Sequence, residues 1–503
     1  MRKTWLWLLL PAGVGLLYVG SAAATGQLIR DKLAEQSAFA QRALPKGTLQ
    51  EHVERGLWTT TRTWTLRVGC APAAEGAEAR APLAFRWRDV IQHGPLPGLS
   101  GVGFARIDSR LELPEAIAAH VQTESGAKLA LTAHTRVGFG GELDSHIVAP
   151  AAEVKSGADA LKVSGLDARV TGQIPLRAGK VDYKATLAPV NLQVSGAEAS
   201  SQVTVGRFTL NGQLQFDPQQ SGLFMPMHAD GHVTHMLIRV SGATASGAPG
   251  EVALGLNDVS FKHAIEREGE LWNMRGSTRG ALDVLGFKVD KLDMAVALRR
   301  VHEPSYTKLA RELLALSSRC EAQPSDPSAL LAQLHGDVVT LLSHDLEYAV
   351  GPFVIDIGGK RAELSYRLGT LGVAPEDRAL ELPALLMRKG VAHAEASVDL
   401  ALIELVAKRI AADPSLQSAS PQPAAAHPGD PQPTAAGMSE EAKRALGAEL
   451  MAQLMIARFV TEGYITHHGE SVKAQLDFAG GKFALNGKPF ELPDFGDEEE
   501  SQP

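Results

Sequence analysis

Short segments in which apolar and polar residues alternate run from Leu49 to about Arg300, and they restrict the possible folds more than any other feature of the chain. Apolar residues occupy every second position over residues 181–187 and, after a break at Pro189, over residues 190–194. A period of two is that of a β-strand with one buried face. Because few helix-length patterns interrupt the region, the sequence predicts one long antiparallel meander sheet with one apolar face.

One place in this region carries a signal for a local irregularity. The alternation changes phase at Gly206, between residues 203–205 and 208–216, and this change predicts a β-bulge. The dipeptide Asn211-Gly212 lies inside the second run and allows a different interpretation, a tight hairpin turn.

Helical periodicity appears after residue 301. The sequence predicts one helix from Pro304 to about Cys320, a second from Asp326 to about Leu342, a third with Asp399 as its N-cap, and a fourth that begins at Ser439. Strands return over residues 347–368 and 392–398. The predicted fold class is therefore mainly β with accessory α-helices (α+β), in which the helices pack on the sheet.

The clearest strand signal lies near the end of the chain, where residues 471–478 alternate strictly. Gly480-Gly481 predicts a turn into residues 482–485, and Asn486-Gly487 is a strong hairpin signal after them. We expect a terminal strand-turn-strand unit.

The first residues predict a membrane helix. Residues 4–24 contain no charged residue and follow Arg2 and Lys3, and about twenty apolar residues cross a bilayer as a helix. A cytoplasmic Arg-Lys pair would place the rest of the chain across the membrane, in the periplasm if the source is a Gram-negative bacterium. Small residues at positions 22–24 leave a second interpretation open, a signal peptide cleaved after Ala24.

Composition and periodicity together divide the chain into seven segments. These are a transmembrane anchor (1–25), a juxtamembrane helix (26–47), a β-rich meander (48–301), a mixed helix and strand region (302–412), a disordered Pro/Ala-rich insert (413–438), a C-terminal helix with a β-hairpin (439–495) and an acidic disordered tail (496–503).

Composition excludes several functional classes. With 45% apolar and 21% charged residues among 503, the chain is a folded protein, and its net charge of -8 argues against nucleic acid as a partner. Two cysteines, Cys70 and Cys320, are too few for a four-cysteine zinc site. They could form a disulfide in an exported protein, and the sequence leaves that open.

No catalytic, metal or cofactor motif survives inspection. His228, His232 and His235 are the tightest histidine group, but in an extended chain His232 and His235 point to opposite faces. The nearest approach to a nucleophile elbow, at residues 98–102, lacks its final glycine. Gly487-Lys488 lacks the neighbours of a phosphate-binding loop. We therefore predict no catalytic residue, no metal and no cofactor, and do not expect an enzyme.

The long apolar face has two interpretations. It is either a core face that the later helices cover or an uncovered surface that holds acyl chains or a partner. The sequence does not choose between them.

Several separated motifs resemble the YdgA-like family of bacterial envelope proteins, whose biochemical function is largely unassigned. The signature residues are Thr25 and Gly26 after the apolar segment, Arg55 and Gly56 before Leu57-Trp58, His93, Gly94, Pro95 and Pro97 in a His-Gly-Pro-Leu-Pro segment, and Asn486 and Gly487 in the terminal hairpin. Their order along the chain matches that of the family.

The resemblance implies a protein of the bacterial inner membrane, single-pass, with a β-rich body in the periplasm, and it also implies self-association. It carries over no catalytic residue, and the two prolines after His93 favour a stiff structural turn. We expect a structural or binding protein, and the analogy with this family suggests a role in envelope maintenance. The alternatives are a lipid-binding or lipid-transport scaffold that uses an apolar β-groove, and a periplasmic hydrolase with an unrecognised site around His93.

Overall fold

The protein is mainly β. The computed structural model describes residues 26–27, 31, 34, 37, 49–68, 83–99, 101–114, 118, 121–123, 130–156, 159–173, 179–196, 199–216, 225–243, 249–284, 287–319, 327–412 and 440–490. In these residues 25 strands, all paired antiparallel, are accompanied by five helices. The predicted β-rich fold with accessory helices is confirmed. The chain divides into two compact units, Met1–Gly286 with Arg300–Leu341 (unit 1) and Phe287–Arg299 with Leu342–Pro503 (unit 2).

Unit 1 contains a long meander, here called the first ladder. Numbered in chain order, its strands pair in the sequence β1 (Leu49–Arg55), β2 (Thr59–Val68), β3 (Leu83–His93), β4 (Ala105–Glu112), β6 (Ala130–Val137), β7 (Glu142–Ala149), β10 (Leu166–Gln173), β11 (Gly179–Leu187), β14 (Phe208–Phe216), β15 (Met227–Ala243), β16 (Pro249–Glu268) and β17 (Leu271–Val284).

A second ladder lies alongside it. Its strands pair in the sequence β5 (Val121–Thr123), β8 (Ala152–Ser156), β9 (Asp159–Val163), β12 (Val190–Ser195) and β13 (Ala199–Val205), and β13 pairs with the later half of β15. The 17-residue β15 and the 20-residue β16 therefore run through both ladders.

The two ladders meet along a line of strand interruptions. The interruptions fall at residues 150–151, 164–165, 188–189, 206–207, 234 and 258, and the strand register is the same on both sides of them. Backbone bonds continue across the line, as from the Gly206 amide to the His235 carbonyl (2.7 Å) and from the Thr234 amide to the Arg207 carbonyl (3.1 Å). Because the apolar alternation shifts by one residue at each interruption, each strand behaves as if it carried a bulge residue there.

The irregularity predicted at Gly206 is thus confirmed as one member of this line. The hairpin turn considered at Asn211-Gly212 is wrong, because both residues lie inside β14 and pair with β11 on one side and β15 on the other. Ladder partners on both sides satisfy the backbone groups that a turn would have left exposed.

Unit 1 also holds helix α1 (Glu303–Arg319) and, except for its last residue, helix α2 (Pro327–Leu342). Both lie close to their predicted bounds. The Lys308 ammonium joins them through Asp337 at 2.8 Å. The Glu303 amide donates to the Glu270 carbonyl at 2.9 Å, so α1 begins against the β16–β17 turn.

Unit 2 has its own sheet. Its strands are β18 (Phe287–His302, of which Phe287–Arg299 belong to unit 2), β19 (Glu347–Ile357), β20 (Lys360–Thr370), β21 (Gly390–Asp399), β22 (Thr466–His468), β23 (Ser471–Ala479), β24 (Lys482–Leu485) and β25 (Lys488–Phe490). The strand and two turns predicted from residue 471 onward are confirmed.

Three helices complete unit 2: α3 (Leu382–Lys389), α4 (Leu400–Ala412) and α5 (Glu440–Glu462). An ion pair between Lys408 and Glu449 (2.8 Å) joins α4 to α5. Helix α4 begins directly after Asp399 as predicted, but the Asp399 carboxylate accepts a hydrogen bond from the Arg361 amide at 2.7 Å. The carboxylate thus fastens β21 to β20.

Some predictions concern parts of the chain outside the described residues. These are the apolar span 4–24, Thr25, the insert 413–438, the acidic tail 496–503 and both cysteines. Where the structure does describe the chain, no helix has the length and hydropathy needed to cross a bilayer. The described positions between 26 and 37 are helical.

Candidate functional site

Two of the signature motifs meet at His93, the last residue of β3. The side chain is 3% exposed, and its Nε2 lies 3.5 Å from the hydroxyl of the fully buried Thr60. Gly26 lies against the imidazole so closely that a Cβ there would sit 2.9 Å from Cε1 of His93. Only glycine therefore allows this approach. The contact ties the segment after the apolar N-terminus to the end of β3.

The other signature residues of unit 1 form turns at the same end of the first ladder. Gly56 donates to the Thr59 carbonyl at 2.7 Å and so closes the turn between β1 and β2, directly after Arg55. The Pro95 carbonyl accepts from the Gly103 amide at 3.2 Å, and a 3-10 turn spans Pro97–Leu99. These contacts support a structural role for the motif, with Gly94 at a φ of 118°.

Asn486 and Gly487 belong to unit 2. The Asn486 side chain donates to the Gly463 carbonyl at 2.8 Å and accepts from the Gln475 amide at 2.9 Å. The turn thereby links β23 to the end of α5. Its signature residues also have a structural explanation.

The histidines of β15 lie differently from the sequence expectation. The interruption at Thr234 shifts the alternation between His232 and His235, so the argument from strict alternation is wrong there. Nε2 of His232 lies 2.7 Å from Oδ1 of Asp258. Within the described residues, no group of three or more His, Cys, Asp or Glu side chains is placed to hold a metal ion.

A buried carboxylate that sequence reasoning missed lies in β3. Asp89 is 2% exposed, and its oxygens accept from Arg62 (2.8 and 3.0 Å), Trp87 (2.7 Å) and Ser109 (2.6 Å). With four donors on two oxygens, the carboxylate has little capacity left for a substrate. The sequence did contain one indication that Asp89 is buried, since it lies on the same strand face as the apolar Ile91.

The apolar face of the first ladder is covered in part by aromatic rings that lie over glycines. The Phe261 ring occupies the space above Gly231, and the Tyr183 ring occupies that above Gly212. Phe208 stacks on Phe261 with ring centroids 5.9 Å apart. Burial raises the pKa of Tyr183. These rings fill the positions where glycine leaves no side chain.

The second ladder presents a different apolar surface, here called the distal apolar face. Adjacent strands align aliphatic and methionine residues in cross-strand rows, which the polar Ser201 interrupts between Val194 and Val240. The apolar members are Val163, Val190, Leu192, Val194, Val203, Val205, Met236, Ile238, Val240, Val252, Leu254 and Leu256.

None of these residues is buried. Val194, Val240 and Val252 are 40%, 46% and 52% exposed. Contiguous apolar surface that stays exposed in a folded protein usually marks a binding site. Of the two interpretations of the apolar face, the geometry of the second ladder favours the uncovered surface, and the aromatic cover of the first ladder favours a core.

Comparison with known proteins gives a family without an activity. A family model described as "Bacterial protein of unknown function (DUF945)" matches residues 1–493. No curated protein and no solved structure matches the chain. The match spans both units, and it supplies neither a ligand nor a site residue.

Proposed function

This chain belongs to the DUF945 family of bacterial proteins of unknown function, and from that premise we propose that it is a binding protein of the cell envelope and not an enzyme. The proposal includes membership of the YdgA-like family, with residues 4–24 as an inner-membrane anchor and the body in the periplasm. Its ligand is the acyl chain of a membrane lipid.

The distal apolar face carries this proposal. Its rows contain no charged side chain, so an occupant gains free energy by removing hydrocarbon from water. Three of its valines are 40–52% exposed, and an acyl chain could bury them without needing hydrogen bonds. A polypeptide would also have to satisfy its backbone groups, for which these rows offer one side-chain partner, the Ser201 hydroxyl.

The dimensions of the face also fit. A row crosses β9, β12, β13, β15 and β16. With neighbouring strands about 4.8 Å apart, five strands extend over roughly 19 Å. One leaflet of the hydrocarbon core is about 15 Å thick, so the row is long enough for one lipid chain.

Native mass spectrometry of the full-length protein extracted in detergent tests the proposal. We expect bound lipid on the wild-type protein, and about fivefold less on Val240→Asn and on Val252→Asn, because half-burying one valine stabilises a complex by about 1 kcal/mol. Both residues are about half exposed, so the substitutions should leave the fold intact.

The matched control is Val102→Asn, which changes a 77% exposed valine outside the second ladder. It should carry as much lipid as the wild-type protein. Wild-type protein free of lipid that also fails to bind an added fatty acid would refute the acyl-chain assignment.

A further inference from the structure

An open cavity of about 690 Å³ lies on the polar face of the first ladder, away from the distal apolar face. Strands β4, β6, β7, β10 and β11 supply its lining. In the strand register Arg106 is paired with Arg136, and His134 is paired with His146. Groups of like charge directly across a strand pair destabilise a sheet, so the pairing of the two arginines requires an explanation.

The carboxylates in and beside the cavity are already engaged. Asp108 accepts from His134 (2.7 Å) and from Arg106 (3.2 Å). Both oxygens of Asp144 accept from Arg169, at 2.6 and 2.9 Å. These hydrogen bonds, with the Arg169 charge and the charge of Arg136, hold the pKa of Asp144 below its ordinary value despite some desolvation.

Arg136 consequently has no carboxylate bound to it among the described residues. Its partner in the register is Asp144, whose two oxygens face Arg169 instead. Among the described residues, the Arg136 guanidinium has no hydrogen bond or ion pair within bonding distance.

Each histidine also keeps one ring nitrogen directed away from its carboxylate. His134 uses Nδ1 toward Asp108, and His146 uses Nε2 toward Asp167 at 2.9 Å. A carboxylate only accepts, so these nitrogens carry the protons. Nε2 of His134 and Nδ1 of His146 then become further donors whenever the rings are protonated.

We propose that this cavity binds an oxyanion of the phosphate class, with Arg136 as the principal donor and His134 and His146 beside it. An anion placed there relieves the repulsion between Arg106 and Arg136. The planar guanidinium fork matches two oxygens of a phosphate group. A phosphate monoester is also small enough for the cavity.

Calorimetric titration of the full-length protein with inorganic phosphate at a pH of about 6, where histidine is partly protonated, tests the assignment. We expect saturable binding that Arg136→Gln weakens at least about tenfold, the effect of losing one charge-assisted hydrogen bond. The matched control is Arg110→Gln, an arginine of β4 that does not line the cavity, and its affinity should equal that of the wild-type protein.

A second arm identifies the source of the phosphate. Glycerol phosphate is compared with vesicles of phosphatidylcholine that do or do not contain phosphatidic acid. Arg136-dependent binding of the acidic vesicles identifies a lipid headgroup, and Arg136-dependent binding of glycerol phosphate alone identifies a free phosphoester. Both results support the site. The assignment is overturned if phosphate does not bind saturably, or if Arg136→Gln and Arg110→Gln bind it equally well.

Discussion

Among single residues, Asp89 shows how one polar side chain organises its surroundings. Strands β2, β3 and β4 each supply a donor to its carboxylate, and Arg62 is itself only 13% exposed. A buried charge pair of this kind contributes little against an apolar replacement, but removing one partner leaves the other charge unpaired.

We therefore expect Asp89→Asn to lower the free energy of unfolding by about 3 kcal/mol. The asparagine would still accept hydrogen bonds, but its amide group would face the Arg62 guanidinium as a second donor. Chemical denaturation followed by tryptophan fluorescence measures the change, since Trp87 donates to the same carboxylate.

Asp167→Asn is the control for this prediction. Asp167 pairs with His146, but its side chain is 63% exposed, and exposed pairs are worth less than about 1 kcal/mol. Equal destabilisation by the two variants would show that the Asp89 network is no stronger than a surface ion pair.

Contacts between individual residues were the part of the structure that the sequence predicted least. The motifs containing Gly26 and His93 could be singled out, but their contact depends on tertiary packing. Arg136 was equally invisible, because its isolation results from the pairing of Asp144 with Arg169 across two other strands.

At the scale of elements, the glycines of β14 and β15 matter because aromatic rings cover them. We expect Gly231→Ala to lower the free energy of unfolding by about 1–3 kcal/mol, because its Cβ would overlap the Phe261 ring. Thermal unfolding measures the loss. The added substitution Phe261→Leu should recover part of it, since the two residues are coupled.

Gly276→Ala provides the comparison. A Cβ at this strand glycine would lie 3.6 Å from the Lys262 carbonyl, an ordinary contact, so its effect should stay within about 0.5 kcal/mol. Similar losses at both glycines would mean that the ring contact is unimportant.

Local patterns predicted most of the elements. Alternation was sufficient for the strands that the sequence located, such as residues 181–187 and 471–478, and turn dipeptides were sufficient for residues 480–481 and 486–487. The sequence identified only two members of the line of interruptions, at Pro189 and Gly206. The alignment of all its members depends on the pairing of strands that are distant in sequence. Asn211-Gly212 failed as a turn for the same reason.

At the scale of the whole molecule, the self-association implied by the family resemblance has a candidate surface on α5. Leu446, Leu450, Met451, Leu454 and Met455 are 50–56% exposed on this helix. We expect a second copy of the chain to cover this stripe, because an exposed apolar helix face is a common site of oligomer contact.

The substitution Leu454→Glu tests this surface. It should weaken dimerisation at least about tenfold, because it removes apolar area and would bury a charge. The full-length protein in detergent is measured by native mass spectrometry over a range of concentrations. Leu371→Glu, at a leucine 63% exposed outside α5, should leave the dimer unchanged, and a fully dimeric Leu454→Glu protein would exclude the stripe as the contact.

The line of interruptions limits which insertions and deletions of strands a sheet of this architecture can accept. Three successive long hairpins are interrupted in both arms at the same level: β7 and β8 with β9 and β10, β11 and β12 with β13 and β14, and β15 with β16. A strand inserted singly would reverse the direction of all that follow. A hairpin without the interruption would send its apolar residues to the wrong side of one ladder. Growth or loss by whole interrupted hairpins avoids both problems, so the hairpin is the natural unit of duplication and deletion in this sheet.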